Sequence, residues 1–411
     1  MLTKVKYIYL QSALISFILP TLIIGPFIPD LLISCSAIFF LYYVVSRNDY
    51  QVFKSNIFFI LIIICLFLII NSLISSNPNL SLESTLFYVR FIIFSFGFYF
   101  LIVEYEKILK WVFYFFIIAL ILINILFFYD LISSFITGVP MPVRYSGFFG
   151  EEKKMGGFLV RTLPIILSLL YLNFKNINIY RLHIILFIIL FLIFPLVIFS
   201  GERSALTLYF ISLILIIFSL PNKLKLFSIL FFLTIIILTF SFNENFYGRF
   251  IELTFEQLNF RNGNIQNILF FSSEHQSFAK SALYMFYEKP ISGHGSKLFR
   301  DLCANYHTIG GGCSNHPHNY YLQMLAENGI IGFCIMSFIF IYFTLKLLKM
   351  IVRNKFINHE YYSQYLIMIV FFINFFPFMP HGNFFNNWLS TLIFFPLGIF
   401  LYFSFNSEKK V

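Results

Sequence analysis

Residues 182–199 read LHIILFIILFLIFPLVIF, an uninterrupted run of 18 residues without Asp, Glu, Lys or Arg. A helix needs about 20 mostly apolar residues to cross the hydrocarbon core of a bilayer, so this run predicts a transmembrane helix. The whole chain has the same character: of its 411 residues, 59% are hydrophobic, 21% are aromatic and 11% are charged. A soluble domain carries about 25% charged residues. The composition therefore excludes a soluble enzyme and a nucleic-acid-binding protein, despite a formal net charge of +10.

The same length criterion, applied along the chain, predicts an all-α polytopic membrane protein of about twelve transmembrane helices. Lys4 and Lys6 precede the first apolar stretch, and no small-residue cleavage site follows it, which indicates a retained helix and not a signal peptide. We divide the chain into N-terminal transmembrane helices (1–133) and a second region (134–411). The predicted spans are about 7–25, 27–45, 57–75, 86–103, 109–133, 157–173, 182–199, 203–220, 224–241, 329–349, 362–379 and 386–405.

The positions of Lys and Arg predict the orientation of these helices. With the N-terminus in the cytoplasm, every short inside connection is basic, as the positive-inside rule requires, and both termini are cytoplasmic. Residues 241–328 then form one large periplasmic loop. A structureless loop of that length would be unusual, so we expect it to be partly folded, with short helices.

Two cysteines, Cys303 and Cys313, lie ten residues apart in this loop. An oxidising compartment favours a disulfide between them. A zinc site with His307, His316 and His318 is the alternative, but the paired spacing of zinc motifs is absent. We therefore predict no metal.

Four arginines are predicted at one depth, near the outer membrane surface. Arg90 and Arg161 lie inside predicted spans, Arg203 lies at the outer end of the eighth span, and Arg144 lies in the outer loop before the sixth. Ionisable groups in a membrane usually mark functional sites, and guanidinium groups bind phosphate in a bidentate manner. The four therefore predict a diphosphate ligand. In the alternative, each arginine extends to the interface or pairs with a carboxylate such as Glu202.

A histidine-rich segment, 315–329, precedes the tenth predicted span. Pro317 favours an extended residue before it and a helix start after it. We expect a short amphipathic helix on the outer membrane face, with His318 in its first turn. A neutral imidazole there could take a proton from a sugar hydroxyl. In the alternative, His316 and His318 only cap the helix.

The chain contains no phosphate-binding P-loop, no HExxH motif and no GxSxG motif. A DxD-type pair of acidic residues, which would hold a metal–nucleotide sugar, is also absent, and this argues against a nucleotide-sugar transferase. We therefore predict no cofactor.

Three stretches resemble the O-antigen ligase and O-antigen polymerase family of bacterial inner-membrane proteins. They are RYSGFFGE (144–151), SGERSA (200–205) and HPHNYYLQMLAENGIIGF (316–333). EKPISGHG (288–295) and NFFNNW (383–388) add weaker support. The likeness extends over roughly residues 140–400.

The resemblance implies about twelve helices, a large periplasmic loop and a site at the outer leaflet. It implies transfer of glycan from undecaprenyl diphosphate, without metal or nucleotide. By motif, Arg203 would bind the diphosphate, and His318 would act as the base or orient the acceptor. His275 stands where ligase-like relatives often carry an arginine. Further substrate-binding candidates are Arg144, Arg161, Arg300, His316, Asn319, Glu202 and His275.

The expected partners are an undecaprenyl-diphosphate-linked glycan, an acceptor glycan and membrane lipids, with no nucleic acid. The acceptor is another lipid-linked oligosaccharide for a polymerase and lipid A–core for a ligase. The cysteine pair and Phe299-Arg300 look more like the polymerase side of the family. A transporter or flippase of lipid-linked oligosaccharide is the alternative function, but it predicts charges near the bilayer midplane and repeated halves.

Overall fold

A computed structural model describes residues 4–242, 244–257, 272–306 and 313–408. Within these ranges the chain forms helices and connecting loops and no strand, which confirms the all-α fold. Nine helices of the described residues are long and apolar enough to cross a membrane. The chain is therefore a multi-pass membrane protein.

Short connections join most of the helices of eight residues or more, and the longer connections include 138–154 and 375–386. The bounds of these helices are α1 Lys4–Thr21, α2 Phe27–Arg47, α3 Asn56–Leu73, α4 Pro78–Thr85, α5 Val89–Glu104, α6 Ile108–Thr137, α7 Met155–Asn173, α8 Ile179–Phe199, α9 Arg203–Phe218, α10 Asn222–Phe242, α13 Ser273–Glu288, α15 Tyr320–Arg353, α16 His359–Asn374 and α17 Asn387–Glu408. The shorter helices are α11 Glu244–Tyr247, α12 Leu253–Gln257 and α14 Phe299–Leu302.

The predicted number of about twelve spans is not confirmed. The first, eighth and eleventh predicted spans correspond to α1, α9 and α16, which are not among the nine. Helices α9 and α16 have only 16 residues each. At a rise of 1.5 Å per residue, each is about 24 Å long, shorter than a hydrocarbon core of about 30 Å.

Helix α7 lies at the centre of the bundle. Every residue from Met155 to Leu172 is buried, including the charged Arg161. Helix α10, by contrast, has only 11% of its span buried and lies at the periphery. The central position of α7 fixes Arg161 inside protein and away from lipid.

The first part of α15, up to a kink at Gly329, is buried on nearly every side. Our prediction of an amphipathic helix lying on the outer membrane face is therefore wrong. The reason is that its polar side chains bind other parts of the protein and not solvent. Glu327, fully buried, accepts hydrogen bonds from the backbone N–H groups of Lys297 (2.8 Å) and Phe299 (3.2 Å).

We expect Gly329→Ala to destabilise the fold by about 3 kcal/mol or more. Gly329 has φ +64°, and an added Cβ would lie 2.1 Å from the carbonyl oxygen of Ile291, which is backbone and cannot swing away. Gly138→Ala is the matched control, because Gly138 has φ +71° and nothing within 4 Å of an added Cβ. It should cost only about 1 kcal/mol, the backbone penalty alone. Thermal unfolding in detergent compares the two; equal shifts would contradict the steric argument.

Candidate functional site

Two cavities lie side by side at one end of the bundle, which we call the loop end. Segments 138–154, 200–202, 289–306, 313–319 and 375–386 meet there. The first cavity has a volume of about 880 Å³ and the second about 710 Å³. Both are lined by Arg144, Glu202, Ser204, His318 and Pro380.

The second cavity combines positive charge with an apolar wall. Arg203 donates to Thr254 Oγ1 (3.1 Å) and to Gln257 Oε1 (2.6 Å), both neutral acceptors. Its charge is therefore held in place but not neutralised within the described part of the chain. Arg144 and Arg249 lie close enough to repel it. The apolar part of the wall is formed by Leu206, Phe210, Phe250 and Ile251.

A tight turn at Gly201 brings these arginines together. Gly201 has φ +63°, and an added Cβ would lie 2.6 Å from the carbonyl oxygen of Val143. That close approach places Arg144 directly beside the turn. Arg249 donates from Nε to the Gly201 carbonyl (3.2 Å), so the same residue also anchors the segment after α10. The sequence SGER thus positions arginines from three separate segments.

Glu202 ties the turn to the N-terminus of α7. Its carboxylate accepts from the backbone N–H groups of Gly156 (2.7 Å) and Gly157 (3.3 Å). An added Cβ at Gly156 would lie 2.4 Å from Ser200 Oγ, which explains a glycine at this contact. Burial raises the pKa of Glu202 to about 7, against the opposing effect of those hydrogen bonds and of Arg161. Glu202 lines both cavities, but its carboxylate oxygens already accept hydrogen bonds from the N-terminus of α7.

The first cavity is strongly cationic. Arg161 is only 7% exposed, and its one hydrogen bond is to the Gly157 carbonyl (3.2 Å). Its Nε has no hydrogen-bond partner, and Arg161 forms no ion pair among residues 4–242, 244–257, 272–306 and 313–408. A buried, unpaired cation is costly, so this position suits an anionic or polar ligand. The other cations of the lining are Arg144, Lys153, Lys154, Lys297 and Arg300, against the single carboxylate of Glu202 in the described lining.

His318 lies between the two cavities and precedes α15. Our placement of His318 in the first helical turn is wrong, because Asn319 is the N-cap and its side chain accepts from the N–H groups of Tyr321 and Leu322. His318 itself has φ +54°. Its ring lies 4.2 Å from the ring of His316, and its Nε2 lies 3.2 Å from Ser314 Oγ.

Burial lowers the pKa of His316 to about 4 and that of His318 to about 3. Repulsion from His275 lowers both pKa values further, and repulsion from His316 also lowers that of His318. Both imidazoles are therefore neutral near pH 7.

We expect the thermal stability that these histidines support to be lost as the pH falls below about 6.5, the pKa of an unfolded histidine. The unfolded chain then binds more protons than the folded one, and the loss continues toward the folded pKa values of about 4 and 3. In detergent, a double variant His316→Gln/His318→Asn should show a shallower loss between pH 7.5 and 4.5 than the wild type. Identical slopes would contradict this assignment.

Not every predicted site residue reaches a cavity. Asn319 lines neither one: its Oδ1 caps α15 and its Nδ2 donates to the Pro377 carbonyl (2.7 Å). Arg90 pairs with Asp30, from the first turn of α2, at 2.7 Å and lines a separate cavity of about 490 Å³. Of the four arginines predicted to bind a diphosphate, Arg144, Arg161 and Arg203 line the two cavities, whereas Arg90 pairs with a carboxylate.

The remaining predicted substrate-binding residues each line one of the two cavities. Arg300 and His316 line the first cavity, and His275 lines the second. Cys303 and Cys313 form a disulfide, with their Cα atoms 5.8 Å apart. Among the residues that the structure describes, no group of three or more His, Cys, Asp or Glu is placed to hold a metal ion.

Sequence reasoning missed several lining residues. Lys153, Lys154 and Lys297 line the first cavity and Arg249 lines the second, and none of them was predicted as a site residue. His381 lies in the connection between α16 and α17 and lines the first cavity. The sequence feature that could have pointed to His381 is a single histidine in a short connection between two predicted spans.

Comparison with known families identifies the central part of the chain. No curated protein matches the sequence. The family model described as O-antigen ligase matches residues 188–337, roughly a third of the chain. That segment contains the Gly201 turn, Arg203, His318 and the Gly329 kink. Arg144, Arg161 and His381 join the site from outside it. Residues 188–337 are therefore similar to the O-antigen ligase family, in agreement with the motifs at 200–205 and 316–333.

Proposed function

We propose that the protein transfers glycan from an undecaprenyl-diphosphate donor to a hydroxyl group of an acceptor sugar. The acceptor oxygen attacks the anomeric carbon, and the bond from that carbon to the diphosphate breaks. The hydroxyl proton passes to His318, and undecaprenyl diphosphate leaves. The proposed site faces the periplasm of a bacterial cell, in the inner membrane, with both termini cytoplasmic.

The position of His318 is the observation that carries the proposal. It is one of five residues that line both cavities, so a group bound in either one can reach it. A neutral imidazole is a suitable proton acceptor. Binding of an anionic donor next to it would raise its pKa from the low value that burial gives it, and so improve it as a base.

We assign the donor to the second cavity. Its three arginines, Arg144, Arg203 and Arg249, match the charge of a diphosphate, and guanidinium groups bind such oxygens in a bidentate manner. The apolar side chains of Leu206 and Phe210 continue along α9, where the first isoprene units of the lipid would lie. Charge neutralisation of a good leaving group, with correct positioning, accounts for catalysis without a cofactor.

We assign the acceptor to the first cavity and favour a polymerase over a ligase. The pair Cys303–Cys313 and the sequence Phe299-Arg300 resemble the polymerase side of the family. A polymerase and a ligase need the same donor, and they differ in whether the acceptor is a second lipid-linked glycan or lipid A–core.

The surface polysaccharide of a deletion strain tests the proposal. A single repeat on the core, in place of a ladder, identifies a polymerase. Loss of every capped band, with long glycan remaining on undecaprenyl diphosphate, identifies a ligase. With purified protein, release of undecaprenyl diphosphate from the donor must accompany transfer. Donor that moves between leaflets without being cleaved would contradict the proposal.

A further inference from the structure

His381 is held rigidly in the wall of the first cavity. Its side chain is 3% exposed and stacks on Tyr320, with ring centroids 4.5 Å apart and an angle of 12° between planes. Its backbone N–H donates to the carbonyl of His318 at 2.8 Å. The ring therefore belongs to the same rigid unit as His318, although 63 residues separate them in sequence.

The contacts of His381 define which ring nitrogen carries the proton. Nε2 lies 2.7 Å from the Phe376 carbonyl oxygen, and a carbonyl can only accept, so Nε2 carries the hydrogen. Burial and the nearby Arg161 lower the pKa of His381 to about 3, which keeps the ring neutral. Nδ1 therefore presents a lone pair. It has no hydrogen-bond partner in the described part of the chain.

His316 lines the same cavity, and its Nε2 has no hydrogen-bond partner among the described residues. His381 thus presents a bare acceptor at Nδ1, and His316 adds a second ring nitrogen without a partner. Buried acceptors without a partner are rare and costly, and a ligand is a common explanation.

The chemistry of the His381 lone pair selects the ligand. An anion such as a diphosphate is repelled by a bare imidazole nitrogen, whereas a hydroxyl group donates to it. Arg161 adds the complementary donor, because its Nε–H is also without a partner among the described residues. This wall therefore suits a neutral, hydroxyl-rich group, whereas the remaining cations of the first cavity lie in other parts of its lining.

We propose that His381, with His316, forms a hydroxyl-binding subsite that holds the acceptor sugar, with Nδ1 of His381 accepting from one of its hydroxyl groups. The subsite rests on the proposed function, since the acceptor is the substrate that must bring hydroxyl groups into the first cavity. His381 is thereby a positioning residue for the attacking sugar, separate from the proton transfer at His318.

Three variants of the full-length purified protein test the subsite. His381→Gln keeps an N–H at the Nε2 position for the Phe376 carbonyl but removes the acceptor at Nδ1. His381→Asn restores an acceptor oxygen near the Nδ1 position. His359→Gln is the matched control, because His359 Nε2 likewise contacts a carbonyl, that of Ile177 (2.9 Å), and His359 lines none of the three cavities described here.

The measurements are glycan transfer, with lipid-linked glycan extracted from the deletion strain, and thermal stabilisation by undecaprenyl diphosphate. His381→Gln should keep the stabilisation but reduce transfer by about tenfold to a hundredfold through a higher KM for the acceptor, as expected for loss of one buried hydrogen bond. His381→Asn should recover part of the loss, and His359→Gln should match the wild type. Unchanged transfer by a folded His381→Gln would overturn the subsite.

Failure of the proposed function and failure of the hydroxyl-binding subsite would give different results. A wild-type protein that neither cleaves the lipid-linked glycan nor is stabilised by undecaprenyl diphosphate would overturn the proposed function, and the subsite with it. If His381→Gln does not fold, ¹⁵N-histidine NMR of the wild type decides instead. The unprotonated Nδ1 resonance of His381 should move on addition of glycan released from the lipid, while that of His359 stays. An unmoved resonance would overturn the subsite.

Discussion

Replacing Arg203 with alanine is expected to reduce glycan transfer by about a hundredfold to a thousandfold, the usual effect of removing one charged contact to a developing oxyanion. Its guanidinium is held by Thr254 and Gln257, so it is already placed before the donor binds. Arg203→Lys keeps the charge but loses the planar fork, and it should retain intermediate activity. Complementation of the deletion strain, followed by the polysaccharide profile, measures the effect in cells.

The same Arg203→Ala change should lower the activity without lowering the thermal stability of the protein. Arg144 and Arg249 repel Arg203, and no carboxylate pairs with it in the described ranges, so its removal relieves repulsion. We therefore expect Arg203→Ala to melt at the same temperature as the wild type or higher. Arg353→Ala, at the exposed far end of α15, is the control for loss of a surface charge. A normal polysaccharide ladder with Arg203→Ala would show that this arginine does not bind the donor.

Replacing His318 with asparagine is expected to reduce transfer by about a hundredfold or more, within the range of about 10²–10⁴ for loss of a general base. Asparagine is a better choice than alanine at this position. His318 has φ +54°, a conformation that asparagine tolerates and alanine resists. The variant thus removes the imidazole with little strain on the turn that also holds His381.

Comparison of three variants separates the loss of the imidazole from the backbone penalty of alanine. Asn354→Ala, at φ 48° and far from both cavities, measures the penalty of alanine in this conformation alone. His318→Ala should combine that penalty with the loss of activity, whereas His318→Asn should show the loss of activity only. If His318→Asn restored full transfer in the deletion strain, another group would have to take the proton.

Local sequence was sufficient for the secondary structure and for part of the site. The apolar run at 182–199 became α8 at Ile179–Phe199, because the length of an apolar run is matched directly to the bilayer. The segments at 200–205 and 316–319 were recognised as site residues, and both line the cavities through Glu202, Arg203 and His318.

Errors arose wherever the partner of a side chain was distant in sequence. Arg90 looked like one more phosphate ligand, but Asp30, 60 residues earlier, pairs with it. The helix after His318 looked amphipathic, but Asn71, 257 residues earlier, binds Asn328 and helps to bury it. Periodicity reports which side chains share a face of a helix, and it does not report what covers that face.

The sequence by itself determined that this protein is an all-α, multi-pass membrane protein whose central part resembles the O-antigen ligase family, because apolar length and short motifs are properties of contiguous residues. Only the tertiary structure decided which charged and imidazole groups act together. Gly201 permits the close approach that brings Arg144 beside the turn before Arg203, and the Phe376 carbonyl fixes the free lone pair of His381. Such contacts depend on how separate helices pack, and no local pattern encodes them.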